Sequence, residues 1–105
     1  MISISDLRSK LSSIERESKS KSTYTLNLSH ITINTEIIAK EIVSFISKNE
    51  VPYVILNDCS ISDKFVNSFF SGLLQEDNDS ILYLSMSDNN IGTNKYKSST
   101  ISLTI

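Results

Sequence analysis

Three segments of this chain repeat one pattern, and that repetition leaves few folds open. Residues 51–61 read VPYVILNDCSI and residues 81–91 read ILYLSMSDNNI. Both fit apolar-x-x-apolar-x-apolar-x-x-(Cys or Asn)-x-apolar at a constant offset, since 81 − 51 = 30 and 91 − 61 = 30. At an offset of 28 below the middle copy stands TYTLNLSHITI, residues 23–33. There Leu26, Leu28 and Ile33 fall in register, while Thr23 and Ile31 depart from the pattern.

The segments between these copies carry a second signal. Asn34, Thr35 and Glu36 form a helix-start signal. Ile38, Ile42, Phe45 and Ile46 then follow at i, i+4, i+7 and i+8, one face of a helix. A shift of 28 lands on Val66, Phe70, Leu73 and Leu74, again all apolar, with Ser62 and Asp63 as the second cap. This predicts those four as the core face of the second helix. Phe69 aligns with Glu41, an exposed position. It is therefore expected on the outer or loop side, packing under the third turn or offering a second contact. Each unit reads as a strand, a turn and a helix. Alone it cannot bury its apolar face, but stacked units share one core.

The strand motif resembles the leucine-rich repeat, and the periods of 28 and 30 resemble its long, helix-containing subtype typified by ribonuclease inhibitor. The resemblance covers roughly residues 23–92. It implies an α/β solenoid with parallel strands on the concave face and helices on the convex face. It also implies that the Asn or Cys position bonds the neighbouring turn's backbone, which Asn89 can do well, Cys59 weakly and Ile31 not at all.

The expected organisation is one domain. Residues 1–22 read as an N-terminal helical cap, with Ser3 or Ser5 at its start and Ile4, Leu7, Leu11 and Ile14 as an apolar stripe. The alternative for this helix is docking a partner or pairing with itself. Repeats follow at 23–50, 51–80 and 81–92, the last one incomplete. Residues 93–105 read as a C-terminal cap whose alternating end, TISLTI at 100–105, fits a fourth strand; it is expected either to blunt the sheet edge or to mark where a longer protein was cut.

Composition narrows the function. The formal net charge of −2 offers no clustered cations for a phosphate backbone or an anionic membrane. One cysteine, Cys59, rules out a disulfide within the chain. The first residues, MISISDLRSKL, lack the apolar run of a Sec signal, which predicts a cytoplasmic protein or one delivered into a host cell by another route. The sequence DNDSI at 77–81 begins like a calcium loop but lacks its glycine and a ligand at Ile81. It is expected to be a polar loop holding the two extra residues of the second repeat. His30 and Asp58 are the one conceivable acid–base pair, and Cys59 sits at a consensus structural position. No catalytic residue, metal site or cofactor is expected, and the chain reads as non-enzymatic.

Candidate binding residues come from strand alternation, which turns the residues flanking the inward apolar positions to the outer face. The first row is Thr25, Asn27 and Ser29, followed by His30. The second is Tyr53, Ile55 and Asn57, followed by Asp58. The third is Tyr83, Ser85 and Ser87, followed by Asp88. Tyr53 and Tyr83 are expected to stack in one column on adjacent strands, and His30, Asp58 and Asp88 to line one edge. Exposed tyrosines on a rigid sheet suit protein recognition. The expected partner is another protein, with no nucleic acid, membrane or small-molecule substrate. The sequence also looks like the small leucine-rich-repeat effectors of intracellular bacterial pathogens. That likeness implies an effector or inhibitor that occludes a host or bacterial enzyme. The alternative is the substrate-targeting repeat fragment of a larger enzyme, such as a bacterial ubiquitin ligase.

Overall fold

The repeated motif forms three short strands: β1 (Thr25–Asn27), β2 (Tyr53–Ile55) and β3 (Tyr83–Ser85). The computed structural model describes residues 2–18 and 24–89, and the backbone of residues 102–104. The strands run parallel in chain order, with Thr25 opposite Tyr53 and Tyr53 opposite Tyr83. Their offsets, 53 − 25 = 28 and 83 − 53 = 30, are those of the sequence repeat. A fourth strand, β4 (Ser102–Thr104), adds antiparallel to β3 with Leu103 opposite Leu84. That agrees with the edge strand expected from the alternating tail. The rest of the expected C-terminal cap, the end of the third repeat and residues 19–23 lie outside the described residues.

Three helices accompany the sheet, so the class is α/β: α1 (Ile4–Ser18), α2 (Glu36–Asn49) and α3 (Asp63–Gln75). No helix among the described residues is long and apolar enough to cross a membrane. The interior is one apolar cluster into which strands and helices turn the same kind of side chain. Leu26, Val54 and Leu84 enter it from the strand centres; Leu28, Leu56 and Met86, two residues on, are buried beside them. The ladder continues past the strands to hold these three abreast. Leu28 N–H donates to Ile55 O at 2.9 Å and Leu56 N–H to Ser85 O at 2.8 Å. Each such side chain contributes about 1.5–3 kcal/mol by leaving water.

α2 forms as its sequence predicts. Thr35 is extended (φ −139°, ψ 157°), and its hydroxyl accepts from Ile38 N–H at 3.2 Å, satisfying an otherwise orphaned donor. Ile38, Ile42, Phe45 and Ile46 are all buried, joined by Ala39 and Val43. Glu50 ends the helix in the left-handed region (φ 51°, ψ 51°), its N–H donating to Ile46 O.

α3 departs from expectation. Its fully buried residues are Phe65 and Phe69. Val66, Phe70 and Leu73 are only partly buried, and Leu74 is 82% exposed. The cause is a one-residue slip between the units. Two residues, Asn34 and Thr35, lead from Ile33 into α2, whereas Ser62 alone leads from Ile61 into α3. The helices are therefore offset by 62 − 35 = 27 rather than 28. At 27, Phe65 takes the place of Ile38 and Phe69 that of Ile42. Phe69 is thus a core residue and not an outer one. Its ring stacks on Phe65 at 5.9 Å and meets Phe70 edge-on at 5.5 Å. Ser62 stands at the cap position but makes no side-chain cap bond; its hydroxyl donates to Asn34 Oδ1 at 2.9 Å instead. Gly72 lets the helices approach closely, since a Cβ there would lie 3.1 Å from both Val43 methyls.

α1 closes the β1 end of the stack. Ser3 Oγ accepts from Asp6 N–H at 3.1 Å, which selects Ser3 as the start. Leu7 and Leu11 are buried, and Ile4 and Ile14 pack partly against the core. Arg8 reaches the Glu41 carboxylate of α2 with Nε and Nη2, both at 3.2 Å, and these hydrogen bonds push its pKa further up. The apolar stripe of α1 is thus used inside the chain.

Candidate functional site

The face turned away from the core is built from two columns. In the first, Thr25, Tyr53 and Tyr83 are register partners on neighbouring strands; in the second, Asn27, Ile55 and Ser85 are. Parallel strands stand about 4.8 Å apart, so this is a narrow, closely spaced platform. Tyr53, Ile55 and Tyr83 are half-buried. The two tyrosines share a column as expected, but their rings do not touch. The ring contacts among the described residues lie between Tyr24 and Phe45 and within α3. Each ring face is consequently left to other neighbours.

Several expected contact residues are instead committed to holding the platform. Asn57 Oδ1 accepts from Ser87 N–H at 2.7 Å and from Ser85 Oγ at 2.8 Å. Ser85 is buried at 4% exposure, flanked by β2 and β4, and is not the exposed residue that alternation predicts. Ser29 Oγ accepts from Asn57 N–H at 3.2 Å, and Asn27 Oδ1 accepts from Ser29 N–H at 3.0 Å. Ser29, Asn57 and Ser87 therefore bind one row to the next.

Beneath the rim, Asn89 fixes the second and third turns together. Its Oδ1 accepts from Cys59 N–H at 2.7 Å and from Ile61 N–H at 3.1 Å. Its Nδ2 donates to Leu56 O at 2.8 Å, Met86 O at 3.0 Å and Ser87 O at 3.2 Å. Cys59 does the same more weakly: its thiol donates to Leu28 O at 3.1 Å and to Asn57 O at 3.3 Å. Burial pushes the Cys59 thiol up, against the opposing effect of backbone hydrogen bonds from Ile31 and His30. A buried thiol held protonated is a poor nucleophile. Asn34, which the strand motif does not flag, accepts from Ser62 N–H at 3.0 Å and so joins the first turn to the second. The one signal for it was the helix-start pattern, which credited it with a different role.

The rim is a row of left-handed residues: His30 (φ 68°), Asp58 (φ 54°) and Asp88 (φ 60°). Each occupies the position before the Ile, Cys or Asn of its turn, and Asp and His tolerate this conformation better than branched residues. His30 Nδ1 lies 2.8 Å from Asp58 Oδ2, with side chains 75% and 61% exposed. A pair so exposed contributes little, about 0–1 kcal/mol. Asp88 is exposed beside them. The structure thus brings Thr25, Tyr53, Tyr83, Asn27 and Ile55 together and sets His30, Asp58 and Asp88 along one edge. Among the described residues no three His, Cys, Asp or Glu side chains gather as a metal site would require. No family model, curated protein or solved structure matches the chain.

Proposed function

We propose that this chain is a short leucine-rich-repeat protein of the ribonuclease-inhibitor-like kind, and that it binds another protein through its outer sheet face without catalysis of its own. The supporting observation is the column of Thr25, Tyr53 and Tyr83 beside Ile55, set on rows tied together by Asn57 and Asn89. Aromatic and aliphatic anchors on a scaffold that is already ordered lose little entropy on binding. The rim of Asp58 and Asp88 would set orientation and on-rate more than affinity. The likeness to pathogen effectors extends the proposal to a partner that is an enzyme, covered at its active site.

The test is a pull-down with the intact chain from lysates of candidate host and source cells, followed by titration of the recovered protein. Tyr53→Ala with Tyr83→Ala should weaken that binding by about 2 kcal/mol or more, roughly thirtyfold. The far-ultraviolet spectrum and melting midpoint should stay close to those of the parent, because both side chains are half-buried and leave no core cavity. Recovery of the same protein with unchanged affinity by the double variant refutes the reading.

A further inference from the structure

α3 is apolar on two sides. Phe65 and Phe69 fill the interior, while Val66, Phe70, Leu73 and Leu74 form a second stripe at i, i+4, i+7 and i+8. That spacing is how a helix presents itself to another helix. α2 supports α3 on the side of Gly72 and Val43. Of this second stripe, Val66, Phe70 and Leu73 are partly buried against the core cluster, and Leu74 is 82% exposed. Phe70, Leu73 and Leu74 line a groove of about 230 Å³ that closes on Asp77 and Asn78. The one carboxylate in its lining, Asp77, is exposed, and no lysine or arginine lines it.

The other end of the stack shows how this protein covers such a surface. α1 lays Leu7 and Leu11 on the core and anchors itself with Arg8 on a carboxylate of the helix it covers. We infer that the outer side of α3 docks an amphipathic, basic helix of a partner protein. Its aliphatic stripe sits on Phe70, Leu73 and Leu74, and its lysine or arginine faces Asp77. A second copy of this chain, meeting the first through the same groove, would bring a further acidic end and no cation from the groove lining. This surface is distinct from the tyrosine columns, so either site can fail without the other.

The test titrates the full chain with a labelled sixteen-residue leucine/lysine amphipathic peptide and with its leucine/glutamate counterpart carrying the same stripe. The lysine peptide should bind and the glutamate peptide should not. Leu74→Ser should weaken binding about tenfold with the melting midpoint unchanged, as befits a residue outside the core. Asp77→Asn should weaken it less and flatten its salt dependence. Tyr53→Ala should leave it as it was. Failure of the lysine peptide to bind, equal binding of both peptides, or indifference to Leu74→Ser overturns the inference. So does Leu74-dependent dimerisation in sedimentation experiments, which would make the second copy the occupant.

Discussion

Asn89 is an amide at 7% exposure whose oxygen and nitrogen both work: two backbone N–H groups on one side, three carbonyls on the other. A carboxylate of the same shape would keep the acceptor and turn a second oxygen onto the carbonyls of Leu56, Met86 and Ser87. Asn89→Asp should therefore cost about 3 kcal/mol in denaturant unfolding, more than most single changes. Tyr24 shows the opposite case. Its hydroxyl is buried with no hydrogen-bond partner among the described residues, and burial, then the Glu15 charge, push its pKa up. Tyr24→Phe removes an unmet desolvation cost while keeping the edge contact to Phe45 at 6.2 Å. The variant should gain about 1 kcal/mol in the same measurement.

Helix ends and helix registers are set by single residues in this fold. Glu50 holds a left-handed conformation at the end of α2 that glycine adopts freely. Glu50→Gly relieves about 1–2 kcal/mol of backbone penalty against about 0.5–1 kcal/mol of added chain entropy. The net gain should be about 0.5 kcal/mol, seen as a melting midpoint about 3 °C higher. In α3 a single residue selects which of two apolar faces turns inward. The strand registers run at 28 and 30, and the helix offset of 27 differs by one residue spent between Ile33 and α2. One residue rotates a helix by about 100°, enough to bring Phe65 and Phe69 inward and swing Leu74 out. Periodicity alone accepted either face, because α3 is apolar on both.

The core runs without a break from α1 to β3, so the parts should not unfold one by one. Leu7 is fully buried in the first helix yet belongs to the same cluster as Met86 in the last parallel turn. Leu7→Ala should remove about 3 kcal/mol. Circular dichroism and tyrosine fluorescence should report one shared, earlier transition, not an early loss of α1 followed by a parent-like melt. Two separated transitions would show that α1 is an appended helix and not part of the stack.

The order of elements, the parallel pairing and the two tyrosines in one column could be read from the chain, because each follows from spacing along the backbone. A repeat of apolar positions determines which strand residues face inward, and a constant offset determines which residues stand side by side. The closing helix was legible for the same reason, through Leu7 and Leu11. Three-dimensional packing decided the rest. Phe69 is core because a shortened turn rotates its helix, and Ser85 is a buried scaffold residue because its hydroxyl is taken by Asn57 of the neighbouring turn. Asn27, Ser29, Asn57 and Ser87 serve the scaffold because their hydrogen-bond partners lie on a neighbouring turn or at a bend of the same chain. Sequence position states which way a side chain starts out; only the assembled neighbours determine whether its polar atoms are already satisfied when it gets there.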